Sequence, residues 1–149
     1  MADIISNDRK GRRRQAADPL RVDEDMAGRA RAQAAAYGGD AGNFFLAGHS
    51  AGGHLAACMA ATDWQLYGTR PDLVQACLSV SGLFDLRPLL VTPTNDDLRL
   101  TGVEAMVASP LLWPQPNRLP FDSWVGADES FEFKRQARSL AAAWKGIGL

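Results

Sequence analysis

The stretch Gly48-His49-Ser50-Ala51-Gly52-Gly53-His54 decides how this chain is read. Before it runs the apolar Phe44-Phe45-Leu46-Ala47, and after it the alanine-rich Leu55-Ala56-Ala57-Cys58-Met59-Ala60-Ala61, with helical spacing. Strand, tight turn, helix, with a serine at the apex, is the setting in which G-x-S-x-G forms a nucleophile elbow. The sharp turn lifts the Ser50 hydroxyl clear of both elements. Gly48 and Gly52 are expected to be glycines because strand and helix pass close there, and a side chain at either place would collide. The helix aims its first amide hydrogens and the positive end of its dipole at the serine. The backbone N–H of Ala51 is then placed to hold an oxyanion. The competing reading is a serine that merely caps a helix in a glycine-rich turn.

Upstream, Gly39-Asp40-Ala41-Gly42 turns the chain into the strand at 43–47. Before that, Asp23-Glu24-Asp25 suits a helix N-terminus. Met26, Ala27, Ala30, Ala34 and Ala35 then predict a helix closed at Tyr37-Gly38-Gly39, with one glycine taking the left-handed cap. Residues 1–21 read as a separate, disordered basic leader. Its cluster Arg9-Lys10-Gly11-Arg12-Arg13-Arg14 has neither apolar periodicity nor interleaved aromatics. Residues 22–149 read as the folded domain.

Downstream, the helix after Ser50 runs to about Thr62, and Leu73–Val80 is a buried strand ended by Ser81-Gly82. The segment from Leu83 to Pro120 holds six prolines and predicts a lid-like or loop-rich insertion, with a helix from Thr101 to Ala108. Phe121–Val125 alternates as a strand, Gly126–Glu129 turns, and Ser130–Trp144 is an amphipathic helix with Phe133, Ala137, Leu140, Ala141 and Trp144 on its apolar face. Strands alternating with helices imply an α/β fold with a short parallel sheet and flanking helices.

The 149 residues are one domain's worth of chain, and 46% hydrophobic content is enough to fill a core. A net charge of -1 gives no general attraction to nucleic acid or to an anionic membrane. Cys58 and Cys77 show no disulfide or metal spacing and read as small buried hydrophobes. That places the chain by default in the reducing cytoplasm. No apolar run is long enough to span a membrane, and no signal-peptide core follows Met1.

A serine nucleophile needs a base, and the base needs an orienting carboxylate. Asp128 and Glu129 follow the last predicted strand, on the side of the sheet where such folds gather their sites. Either can be the acid, with Glu129 favoured, although both could simply be acids at a helix N-terminus. The two histidines fit a base poorly. His49 precedes the serine and points away from it, and His54 lies one turn down the helix, so both read as packing or hydrogen-bonding residues. No histidine follows Glu129, and no His-Gly-Gly run before Ser50 offers a second oxyanion donor.

Several runs together resemble the kynurenine formamidase (arylformamidase) group of α/β hydrolases, within the esterase–lipase family. They are Tyr37-Gly38-Gly39-Asp40, Gly48 through Ala56, Ala61-Thr62-Asp63-Trp64, and Ser81-Gly82-Leu83-Phe84-Asp85-Leu86 with Pro88-Leu89. Asn95-Asp96-Asp97-Leu98-Arg99-Leu100 and Gly126-Ala127-Asp128-Glu129-Ser130, with Glu132-Phe133 and Arg135-Gln136, complete the set. The likeness runs from about Val22 onward. It implies Ser50 as nucleophile, Glu129 or Asp128 as acid and the Ala51 N–H as one oxyanion donor. The implied reaction is hydrolysis of N-formylkynurenine to kynurenine and formate through a formyl-enzyme, without metal or cofactor. Relatives act on small esters and amides.

The family carries strands and a His-Gly-Gly loop ahead of the region matched here, and a last strand, a histidine loop and a last helix beyond it. The expectation is therefore a partial α/β-hydrolase fold, a truncated central fragment with nucleophile and acid but no base. Its hydrolytic activity is expected to be impaired; the alternative is an inactive fragment or a non-enzymatic module. An unpaired sheet edge predicts self-association.

Overall fold

The computed structural model describes residues 29–67, 70–115 and 118–144. The basic leader and the acidic start of the first predicted helix lie outside the described residues. The fold is α/β: a three-stranded parallel sheet with helices packed against it. The first helix, α1, covers residues 29–34 of the described part and tightens into a 3-10 turn at Ala35–Tyr37. Gly38 stops it at φ 75°, its N–H donating to Ala35 O at 3.2 Å while Gly39 N–H donates to Ala34 O at 2.8 Å. These two bonds make a Schellman cap, which is why glycine stands there.

Strand β1 is Phe45–His49, β2 is Ala76–Val80 and β3 is Phe121–Trp124. Sheet order equals chain order, with β2 in the centre, His49 paired with Val80, and Val80 paired with Trp124. The second strand is shorter than the apolar run suggested. Leu73 N–H closes a turn on Arg70 O at 3.2 Å, and Leu73 and Val74 are buried by packing rather than by pairing.

Helix α2, Ala51–Ala61, is buried along most of its length, at Gly53 and from Leu55 through Ala61. Small residues let it lie close on β1 and β2, whereas an ordinary surface helix would show one polar face. The main core joins Leu55, Met59, Trp64, Cys77, Phe84, Phe121, Leu140 and Trp144. Phe121 packs edge-on between Phe84 and Trp144, with centroids 6.1 and 5.2 Å away. Cys58 and Cys77 are both buried, and burial pushes the Cys77 thiol up to about 12, which leaves it unreactive.

The proline-rich segment is more ordered than its composition suggested. It forms a 3-10 turn at Arg87–Val91, α3 at Thr94–Leu98, α4 at Gly102–Val107 and a 3-10 turn at Pro110–Leu112. Pro88 and Pro110 stand in first turns and Pro93 precedes α3, positions where a missing N–H costs no helical bond. Thr101 and Glu104 exchange bonds as a capping box at the start of α4. Leu86, Ala105 and Ala108 form a second small core with Leu83, Leu89, Leu90 and Leu100 around it.

Helix α5, Phe131–Ala143, is capped by Ser130 and buries Ala137 and Leu140, followed by Trp144 at its C-cap. It also buries Gln136, which the apolar pattern passed over. At 1% exposure, Gln136 accepts from Phe84 N at 2.6 Å and Asp85 N at 2.7 Å, and donates to Asp85 O at 2.8 Å. The amide serves as a main-chain partner where the chain leaves β2.

Among the described residues no helix is long and apolar enough to cross a membrane, and no cluster of His, Cys, Asp or Glu could hold a metal ion.

Candidate functional site

Ser50 leaves β1 with φ 56° and ψ −115°, a conformation L-residues rarely adopt. Holding it costs on the order of 1–3 kcal/mol, repaid by the surrounding packing. The Ser50 N–H donates to Val80 O at 2.9 Å, so the turn is tied to the central strand. His54 N–H donates to Ser50 O at 3.0 Å, which starts α2 at once. Ser50 occupies the N-cap position, yet its side chain makes no capping bond. The capping role weighed for it is therefore not the one this geometry gives. The N–H groups of Ala51, Gly52 and Gly53 belong to the first turn, where no intrahelical acceptor exists.

The glycines divide differently from expectation. A Cβ on Gly48 would lie 2.8 Å from Gly53 N and closer still to Gly52 O, so strand and helix do touch there. A Cβ on Gly52 would meet nothing within 4 Å among the described residues. Gly52 points away from the strand, and the second obligatory glycine is Gly53. A Cβ there would lie 2.5 Å from Ser79 Oγ and 3.0 Å from Gly82 Cα.

One strand over, Ser81 follows the end of β2 with φ 50°. Its N–H donates to Trp124 O at 2.7 Å, and its hydroxyl donates to Glu129 Oε1. Glu129 reaches that place from a tight turn after β3, with its own N–H donating to Gly126 O at 3.1 Å. Its half-buried carboxylate thus lies back over the strand ends, while Asp128 is exposed in the turn. Since His49 pairs with Val80, Ser50 and Ser81 leave neighbouring strands at the same level. Ser50, Ser81 and Glu129 therefore come from β1, β2 and the turn after β3 to one end of the sheet. The sequence reading missed Ser81; its only signal was a serine followed by glycine directly after a buried strand.

His54 is packed beneath the turn, with Nε2 2.8 Å from Ala108 O and 3.6 Å from Cys58 Sγ. As the carbonyl can only accept, Nε2–H is the donor. Burial holds the imidazole below its ordinary value, only partly offset by that bond. His49 is exposed at the end of β1. The chain has no third histidine.

Asp85 lies 4% exposed beyond Ser81, bonded to Arg87 Nε at 2.8 Å and 3.6 Å from Arg135. Hydrogen bonds from Arg87 hold its carboxyl below the usual range. This acid is spent on fixing the start of the proline-rich segment.

No protein-family model matches the chain. Curated relatives do, two kynurenine formamidases among them. A kynurenine formamidase of Danio rerio is 36% identical over 110 residues, covering 70% of this chain and 37% of that protein. A kynurenine formamidase of Salmo salar is 40% identical over 104 residues, covering 66% and 35%. The chain thus spans about a third of the length of the curated relatives it matches. Among solved structures, a Silicibacter protein provisionally assigned as a thioesterase superposes with TM-score 0.68 at 31% identity. That match covers 87% of this chain and 48% of the other.

Proposed function

We propose that this chain, a partial homologue of the kynurenine formamidases with their α/β type of sheet, carries the acyl-transfer half of a serine hydrolase of the arylformamidase or carboxylesterase type. Ser50 is the nucleophile, Glu129 the acid and the Ala51 N–H an oxyanion donor; Asp128 is the lesser candidate for the acid. The substrate is a small ester or amide, with a formamide such as N-formylkynurenine the first choice. The reaction needs no metal or cofactor, and neither nucleic acid nor membrane takes part. Residues 22–149 form the hydrolase part and 1–21 a basic leader. The cysteine spacing, which suits neither a disulfide nor a metal site, favours the cytoplasm.

The observation that carries this reading is the strained, uncapped Ser50 at a strand-to-helix turn. Backbone strain of this kind persists where the fold holds a group for use. In the reaction the Ser50 oxygen attacks the carbonyl carbon, the hydroxyl proton passes to a base, and the carbonyl oxygen gathers negative charge against the helix amides. The leaving amine or alcohol then departs, and water releases the acid.

The second reading, an inactive module, is favoured by the histidines. His54 is committed to Ala108, and His49 projects from the strand that precedes the serine. A fluorophosphonate probe tests both. Covalent labelling of Ser50, abolished in Ser50→Ala, is expected of the hydrolase site. A folded sample that stays unlabelled in the presence of added imidazole supports the module instead.

A further inference from the structure

The feature the proposed reaction does not use is the second strained serine. Among the described residues four non-glycine residues have positive φ: Ser50, Ser81, Arg99 and Arg118. Arg99 ends α3 as its left-handed cap. Ser50 and Ser81 are different, since each directly follows the carboxyl end of a parallel strand, on neighbouring strands and at the same register level. A strand that merely ended would have no reason to turn this way at a buried serine, where glycine or asparagine accepts the conformation more readily.

The surroundings of Ser81 fix it from three sides. Its N–H is held by Trp124 O, so its main chain is locked to β3. Gly82 cannot carry a side chain, as a Cβ would fall 2.7 Å from the Phe84 ring and nearer still to Ser79 Oγ. The residue itself is only 5% exposed. The hydroxyl donates to Glu129. On the other side of the bond, a Cβ on Gly126 would press on Glu129 Cγ at 3.2 Å, so the turn is drawn in tightly around the acid.

We infer that Ser81 is a positioning residue for the Glu129 carboxylate: its left-handed turn exists to present a hydroxyl that fixes the acid over the strand ends, beside Ser50. A glutamate on a turn would otherwise sample several rotamers, and an orienting carboxylate is effective only when held still. One oxygen is engaged by Ser81, which leaves the other for an imidazole. The inference deepens the reading of Glu129 as the acid and rests on it for its catalytic meaning, but not for its geometry.

The decisive variant is Ser81→Gly in the full chain, because glycine accepts the positive φ and removes only the hydroxymethyl group. NMR of glutamate-labelled protein reads the Glu129 side chain directly. The expected result is a single rotamer in the wild type and rotamer averaging in Ser81→Gly, with a urea midpoint no lower than the wild type. Ser50 labelling by a fluorophosphonate should slow by about 10–100-fold in the same variant, the scale of a misplaced orienting group. Glu129 remaining in one rotamer in Ser81→Gly, or averaging already in the wild type, would overturn the inference. Rotamer averaging in the variant with Ser50 unlabelled in both proteins would instead remove the hydrolase reading and leave Ser81 as the residue that fixes Glu129.

Discussion

The imidazole of His54 donates to the main-chain oxygen of Ala108 at 2.8 Å, and by that bond the first turn of α2 is fastened to the C-cap of α4. The bond is made by neutral histidine, since burial lowers its pKa from the ordinary 6.5.

That sets a pH dependence. As pH falls through 6.5 the unfolded chain takes up a proton that buried His54 refuses, so the unfolded state binds more protons and stability falls with pH. The contribution is whole above 6.5 and is lost below it until the lowered folded value is reached. Urea midpoints measured from pH 7.5 to 5.5 should decline in the wild type, with a slope of up to about 1.4 kcal/mol per pH unit from this one group. His54→Gln should flatten the decline. Equal slopes in the two proteins would refute the assignment.

The glycines of the turn should respond unequally. Gly53→Ala must displace Ser79 or Gly82, and overpacking of this kind costs about 1–3 kcal/mol. Gly48→Ala should be worse, because all three obstructing atoms are backbone. Gly52→Ala should be neutral or stabilising by up to about 1 kcal/mol, as alanine is the better helix former. Thermal unfolding of the three variants gives the order directly.

Ser50→Gly should raise stability by about 1 kcal/mol, because glycine accepts φ 56° without strain, while abolishing covalent labelling. A variant that gains stability as it loses its reactive group would separate strain held for function from strain held for packing. Loss of stability in Ser50→Gly would show that the hydroxyl has a structural partner.

Gln136→Leu keeps the size of the side chain and removes every polar contact it makes. It leaves the N–H groups of Phe84 and Asp85 and the oxygen of Asp85 buried without their partner. Each such loss costs about 1–3 kcal/mol, so this single change should rank among the most destabilising. A shift of less than about 1 kcal/mol in urea would mean that water replaces the amide.

Phe45 is 62% exposed on β1, an edge strand among the described residues, with neither a charge nor a proline between 44 and 49. Such an edge invites another strand. Sedimentation velocity should show the wild type self-associating with concentration and Phe45→Lys shifted toward monomer. A wild type that sediments as a monomer throughout would rule this out.

Most of the fold was legible because its signals are local. The turn at Gly48–Gly53, the cap at Gly38-Gly39, the strand at Phe121 and the helix after Ser130 each announce themselves within a few residues. The prolines misled because a proline that starts a helix and one that forbids it look alike in sequence; only the second core around Ala105 and Ala108 distinguishes them. Gly52 and Gly53 could not be told apart either, as which one faces the strand depends on the direction in which the helix leaves Ser50. Of the candidate site, the strand-to-helix turn at Ser50 was readable from its flanks and the turn carrying Glu129 from the strand before it. The Ser81 contact was not, since it depends on a register between strands and a carboxylate 48 positions away.

Strand order that follows chain order has a further consequence for exchange between relatives. Ser50 opens the crossover from β1 to β2, Ser81 opens that from β2 to β3, and Glu129 follows β3, so a chimera that swaps one uninterrupted block moves all three with their spacing intact. An interleaved sheet would scatter them over separate grafts. This architecture lets the cluster be transplanted as a cassette, with the pairings of β2 travelling inside it.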